Sequence, residues 1–472
     1  MKVSPTDHEK KTGECESEGN YVVPVETSSA ETKTTSDKVQ RLQTKDPPSF
    51  VRRLPCGSHI PKTRAGRIAC AFTCVTLTTG FVISLIVLIV GVIGGNMLTV
   101  IPSTSGCVCN RNQGWNTAVT PARFETNTNC SKYKYVDMSI YHNSSDLVEE
   151  IVLTPRGGSE TLRIAAYVYR ERGGAVQRNQ NGETVILTPG YGASRTKYTL
   201  MIPASMLAEM GFNVVSIDTR GHGDSDARLG GRTSWGCTEF KDTLGAWDWA
   251  VEHLAGGDTS RVGVQGASLG GHISQITFAV ERRIPAVFLD SPVFTVRRVA
   301  NQRLDGMGLS SDLFRESMLH FAEEYAECEI RNMQPHVLLP GSNASYYDSN
   351  VKRKIGITSG LEDTSVPWTY HGEVFVDFAR NEGYNVTRVW AESTLDEGES
   401  CDGCYDYPFV RDGAEDCGDG RFEAEHVRQM LRWPGTYRKL LCYYWSDVFD
   451  RDPALCGLDR WPDEAMSSEY AF

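Results

Sequence analysis

Gly263-Val264-Gln265-Gly266-Ala267-Ser268-Leu269-Gly270-Gly271 reads as a sharp strand-to-helix turn with a serine at its apex. An apolar β run (Val262, Val264) enters a G-x-S-x-G pattern, Gly266 to Gly270, and a helix-like run, Ile273 to Val280, leaves it. Glycines flank the serine because larger side chains in so tight a turn would collide with the neighbouring strands and helix. Such a strained turn pushes a hydroxyl out to where a substrate and a base can reach it.

The surroundings of Ser268 extend the pattern. Thr184 to Thr188 is a β-branched run ending in Pro189-Gly190-Tyr191-Gly192-Ala193, and Phe212 to Ile217 is a second, ending in Asp218-Thr219-Arg220-Gly221-His222-Gly223-Asp224-Ser225. Tyr198 to Met210 between them reads as helix, as does Phe240 to Leu254 before the serine strand. Short apolar runs follow at Ala286 to Leu289, Lys354 to Thr358 and Val386 to Trp390. Buried strands alternating with helices predict an α/β domain around a mostly parallel sheet. Upstream, Tyr135 to Arg170 reads as the antiparallel start of that sheet, with Thr161 to Tyr169 alternating around Leu162, Ile164 and Val168.

In the order of these parts the chain resembles the α/β-hydrolase superfamily over about residues 134–450, in its serine aminopeptidase and esterase-like branches. Pro189-Gly190-Tyr191-Gly192 resembles that family's oxyanion loop, with Pro189 where histidine is common. Asp218 to Gly223 is similar to its D-x-R-G-H-G turn, and Gly360-Leu361-Glu362-Asp363-Thr364-Ser365-Val366-Pro367 to its G-x-x-D-x-x-V-P acid loop. The resemblance implies the chain order serine, acid, histidine. Ser268 is then the nucleophile and Asp363 the acid, with Asp290 the competitor at the end of the preceding strand. Only His371 and His426 follow Asp363. His371 falls in a helix-like stretch, Tyr370 to Asn381, so the base is His426, after the last strand. His222 and His272 read as structural. By the family pattern the backbone N–H groups of Tyr191 and Leu269 form the oxyanion hole. The implied chemistry is attack on an ester, thioester or amide, an acyl-enzyme, then water, with no metal or organic cofactor required.

Ile68 to Gly95 contains no charged side chain, and the apolar run continues through Leu98 to Ile101. About 20 apolar residues cross a bilayer core, so 68–95 is expected to be a transmembrane signal-anchor helix. Arg52, Arg53, Lys62, Arg64 and Arg67 precede it and only Arg111 follows closely, which puts residues 1–67 in the cytosol and the rest in the lumen or outside the cell. The sequons at Asn129, Asn143, Asn343 and Asn385 all follow the span. Ten of the 14 cysteines do so too, an even number suited to disulfides in an oxidising compartment. Cys401-Asp402-Gly403-Cys404 is read as part of that framework rather than as a redox or zinc motif, and Cys56, Cys70 and Cys74 stand where palmitoylation occurs. Gly91 and Gly95 form a G-x-x-x-G pair through which two helices can approach, hence a possible homodimer.

Around the core, residues 1–67 are polar enough to form a disordered tail, 96–133 a stalk with three cysteines, and 451–472 a C-terminal tail. Residues 295–353 occupy the lid position, where Phe314, Met318, Phe321 and Tyr325 recur at helical spacing, as core packing or as the wall of an acyl pocket. The segment 395–425 carries eleven acidic side chains against Arg411 and Arg421, an acidic loop that is either solvated, selective for neutral or cationic substrates, or a Ca²⁺ ligand set. A net charge of −12 without a basic patch argues against nucleic acid as a partner. The expectation is a membrane-anchored serine hydrolase acting on a small-molecule ester or a peptide. Exopeptidase, acyltransferase and non-catalytic binding ectodomain remain as alternatives.

Overall fold

The computed structural model describes residues 64–101, 122–123, 135–136, 148–157, 161–170, 182–195, 197–227, 231–343, 352–360, 362–389, 426–427, 429–432, 434–452 and 456. The tail before residue 64, most of the stalk, Asn129, Asn143, the acidic segment 395–425 with its three cysteines, and most of the C-terminal tail lie outside these residues. The chain divides into two units, Met1–Gly80 and Phe81–Phe472. The described part of the first is one run of helix, residues 64–80.

Helix α1 spans Arg64–Thr99, and its apolar stretch Val75–Thr99 is long enough to cross a membrane by length and composition. The helix pairs its own backbone N–H and C=O groups, and its uncharged Leu, Ile and Val side chains leave an apolar surface, with Phe81, Ile83, Leu88, Ile93 and Met97 exposed along it.

Beyond a two-residue ribbon, β1 (Ala122–Arg123) with β2 (Tyr135–Val136), the second unit is built on an eight-stranded sheet. Its strands are β3 (Val148–Leu153), β4 (Ile164–Tyr169), β5 (Thr184–Thr188), β6 (Asn213–Ile217), β7 (Val262–Ala267), β8 (Ala286–Asp290), β9 (Lys354–Thr358) and β10 (Asn385–Val389). They lie in the order β10-β9-β8-β7-β5-β6-β4-β3, parallel except for β3 and β4. This is the α/β-hydrolase fold. Between the strands run α2 (Tyr198–Glu209), α3 (Phe240–His253), α4 (Leu269–Val280), α5 (Val296–Gly306), α6 (Asp312–Ala326), α7 (Pro335–Leu338) and α8 (Gly372–Asn381). The chain then continues through α9 (Gln429–Arg432) and α10 (Pro434–Val448).

Two cores cover the two faces of the sheet. Val185, Leu187, Val214 and Phe288 pack with α2 and with Tyr437, Tyr444 and Trp445 of α10, while Ile186, Val215, Val264, Leu289 and Ile357 pack with α3, α4 and α8. Strand β4 shows why the alternation at 161–169 does not mean a half-exposed strand. Tyr167 and Tyr169 enter one core, Ile164, Ala166 and Val168 the other, and all six residues are buried. Period-2 patterning here sorts side chains between two cores, rather than between core and solvent.

The lid position is occupied by α5, α6 and α7. The apolar stripe of α6 packs on α1, with Met318 buried in a third cluster alongside Leu98, Leu269 and Val366. A Cβ at Gly95 would lie 2.6 Å from the Phe321 Cβ, and one at Gly91 would collide with Ser317 Oγ. The small-residue face of the span therefore receives a helix of the same chain, and Ser317 Oγ donates to the Val87 carbonyl at 3.0 Å. Disulfides join Cys237 to Cys328, tying the α3 entry to the α6 exit, and Cys442 to Cys456.

Candidate active site

Strand β7 ends at Ala267 and α4 begins at Leu269, so Ser268 alone makes the corner, with φ 56° and ψ −119°. A non-glycine residue adopts such angles only where its neighbours impose them. The Ser268 N–H donates to the Asp290 carbonyl at 2.8 Å, and its carbonyl accepts from the Val293 N–H at 3.3 Å and the His272 N–H at 3.2 Å. The corner is too crowded for side chains. A Cβ at Gly266 would strike the Gly270 carbonyl, and one at Gly270 would strike the Thr188 carbonyl of β5.

Two loops bring the partners. Asp363 follows β9, 3 % exposed, and its Oδ1 accepts from the Ser365 N–H at 2.9 Å and the Val366 N–H at 2.8 Å. His426 precedes α9. Its Nδ1 lies 2.6 Å from Asp363 Oδ2, and its Nε2 lies 2.8 Å from Ser268 Oγ. Ser268, Asp363 and His426 thus meet in one continuous hydrogen-bonded line. With the imidazole proton on Nδ1, it donates to Asp363 and leaves Nε2 as an acceptor for the serine hydroxyl.

The competing groups are engaged elsewhere. His371 is fully buried, its Nδ1 accepts from the Phe294 N–H at 3.2 Å, and its Nε2 faces Gln302 Oε1 at 2.9 Å. Burial pulls its pKa down to about 3, so it is neutral. Asp290 accepts from the Tyr437 hydroxyl at 2.8 Å rather than from a histidine, and burial pushes its pKa up to about 7. His222 is buried beside Thr219 and the Arg220 carbonyl, and His272 against the Val293 carbonyl, burial lowering the latter to about 4.

The Leu269 N–H opens α4, where helix-end amides are unpaired and carry partial positive charge. The Tyr191 N–H lies in the loop after β5. Among the described residues neither N–H donates to another group. Among the described residues no group of three or more His, Cys, Asp and Glu side chains is arranged to hold a metal. Of the described sequons, Asn385 is exposed, whereas the Asn343 amide nitrogen, the atom a glycan would occupy, donates to the Glu382 carbonyl at 2.6 Å.

Sequence reasoning passed over the loop 231–239. Glu239, fully buried, accepts from the Ser234 N–H at 2.7 Å, the Gly236 N–H at 3.0 Å and the Thr233 hydroxyl at 3.0 Å, folding the loop against Tyr191. Trp235, at φ 53°, stacks on the Tyr191 ring at 6.1 Å. The one signal in sequence is a tryptophan beside a glycine and a cysteine, with an acid two residues further on.

The profile of the prolyl oligopeptidase family matches residues 198–393, which include Ser268 and Asp363 and end before His426. The match spans 196 of the 472 residues and, with the strand order, supports a serine hydrolase on an α/β-hydrolase fold. An esterase of Pyrococcus furiosus is similar in structure at 16% identity, covering 70% of this chain and 98% of that one, with a TM-score of 0.43. An acylaminoacyl peptidase (15%, covering 68% and 43%, TM-score 0.42) and a puromycin hydrolase (17%, 68% and 41%, 0.45) are similar too. No curated protein matches the chain in sequence.

Proposed function

We propose that the chain hydrolyses an ester or amide through an acyl-enzyme on Ser268. His426 Nε2 takes the hydroxyl proton as Oγ attacks the carbonyl carbon, then returns it to the leaving group. Asp363 holds the imidazole in the required tautomer and stabilises the imidazolium as it forms. The negative charge on the former carbonyl oxygen is met by the N–H groups of Leu269 and Tyr191. Preorganised donors of this kind typically carry about two orders of magnitude in rate or more each. Water activated by the same histidine then releases the acid.

The observation that carries this reading is the unbroken line from Asp363 Oδ2 through His426 to Ser268 Oγ, at 2.6 and 2.8 Å. Esterase action is the first form of the proposal. A peptidase is the second, favoured by the prolyl oligopeptidase match over 198–393, and the resemblance to serine aminopeptidases makes it an exopeptidase. The reading places the domain outside the cytosol on its α1 anchor. It is supported by the basic flank before the span, by the sequons after it, and by two disulfides. A p-nitrophenyl ester and an aminoacyl p-nitroanilide, offered to wild type and to Ser268→Ala, test it. The account expects a burst of nitrophenol stoichiometric with wild-type enzyme and none with the variant; equal turnover by both would refute it.

A further inference from the structure

The last turn of α1 is built into the wall of the candidate active site. A helix C-terminus leaves its final carbonyls without intrahelical donors. Here the loops after β5 and before α3, in the same unit as this turn, supply them one by one. The Trp235 Nε1–H donates to the Leu98 carbonyl at 2.8 Å, the Thr233 N–H to the Thr99 carbonyl at 2.8 Å, and the Tyr191 hydroxyl to the Val100 carbonyl. The Ile101 N–H returns a bond to the Gly231 carbonyl at 3.3 Å, and Val100 and Arg232 pair as an antiparallel bridge. Arg232 also donates to Thr99 Oγ1 at 3.0 Å, setting a cation against the negative end of a helix that has no basic residue in its own last turn.

Two features single out the Tyr191–Trp235 pair within this socket. Tyr191 carries the candidate oxyanion N–H on its backbone and a bond to α1 on its phenol, so one residue touches both. Trp235 holds a left-handed backbone conformation that a bulky side chain adopts only under constraint, and its ring stacks on Tyr191 while its indole is bonded to Leu98. Burial keeps the phenol protonated, and therefore a donor. Leu98 itself shares one buried cluster with Leu269, the other oxyanion residue.

We propose that Tyr191 and Trp235 are positioning residues that clamp the oxyanion loop to the C-terminal turn of α1, making the docked helix end a working part of the site. The proposal rests on the acyl-enzyme reading above. Binding of the ground-state substrate does not need the Tyr191 N–H to be aimed to within a few tenths of an ångström; the tetrahedral intermediate does. The clamp therefore acts on kcat.

The test uses full-length protein in nanodiscs, as wild type, Tyr191→Phe, Trp235→Phe and the double variant, with Ser268→Ala beside them. Tyr191→Phe keeps the ring and removes its one donor, while Trp235→Phe removes the Nε1–H and leaves a smaller aromatic ring in place of the indole. Three quantities are read: kcat and KM for a p-nitrophenyl ester, affinity for a trifluoromethyl ketone that forms a tetrahedral adduct, and the melting temperature. The expected result for each single variant is a kcat lower by roughly ten- to a hundred-fold, because small displacements of catalytic groups are amplified in rate. Ketone affinity falls in parallel, KM and melting temperature hold, and the double variant is no worse than the poorer single. Unchanged kcat, or kcat and KM shifting together with a lowered melting temperature, overturns the clamp. Turnover retained in Ser268→Ala would instead overturn the acyl-enzyme reading beneath it.

Discussion

Asp363 and Asp290 show how two acids at successive strand ends divide their work. Asp363 sits in a loop whose backbone amides hold one oxygen and whose other oxygen faces His426. Asp290 is fully buried, and its loss of water outweighs the Tyr437 phenol, the nearby His426 and the neighbouring serine, so its proton is held until about pH 7. Asp363→Asn is expected to lower kcat by roughly 10⁴-fold, because an amide orients the imidazole in the wrong tautomer. Asp290→Asn should leave kcat within about tenfold and act on stability instead. The folded state keeps a proton that the unfolded chain has already lost above its ordinary 3.8, so the contribution of Asp290 to stability falls as pH rises from about 4 to about 7. Across that window the thermal midpoint of Asp290→Asn should rise relative to wild type as pH rises; a constant difference would refute the assignment. The serine turn and the acid loop were readable from short-range glycine and proline spacing. The choice between the two acids was not, since it depends on burial and on Tyr437, which lies 147 residues downstream of Asp290.

Helices and strands of the core follow from their patterns. Phe240–His253 and Leu269–Val280 end within a residue or two of where apolar spacing starts and stops them, apart from the first turn of α4, which the glycines of the elbow hide. The stripe of Phe314, Met318, Phe321 and Tyr325 was equally visible, but its partner was not. Periodicity names a buried face and is silent on what covers it. Its partner is α1, and the glycines of the span are spaced to admit it. Gly95→Val is expected to force α6 away at a cost on the order of 1–3 kcal/mol, from overpacking against the Phe321 Cβ and the Ala322 backbone. Thermal unfolding of full-length protein in nanodiscs checks this, with Gly80→Val as control, since among the described residues no other element comes within 4 Å of a Cβ there. Equal midpoints for the two variants would contradict the packing.

Across the molecule, two buried histidines contribute to the response to acid. His371 and His272 are held neutral by burial, at about 3 and about 4 against an ordinary 6.5. The unfolded chain binds these protons first, so their contribution is complete above pH 6.5 and is lost as pH falls toward 4 and 3. His371→Gln should flatten the acid limb of the stability curve below pH 6.5, read by denaturant midpoints; an unaltered limb would contradict it. What unites the chain is the meeting of segments far apart in sequence. Ser268 and His426 are separated by 158 residues, and Trp235 and Leu98 by 137. The first pair was inferred from the order of motifs, whereas the second had no motif to announce it. The central claim is that Ser268 is an activated nucleophile. Its most direct test is a fluorophosphonate probe on the full-length protein, with the adduct located by peptide mass spectrometry. A single adduct on Ser268, lost in both Ser268→Ala and His426→Ala, is the result expected. An unlabelled wild-type protein, or an adduct elsewhere that survives in Ser268→Ala, would contradict it.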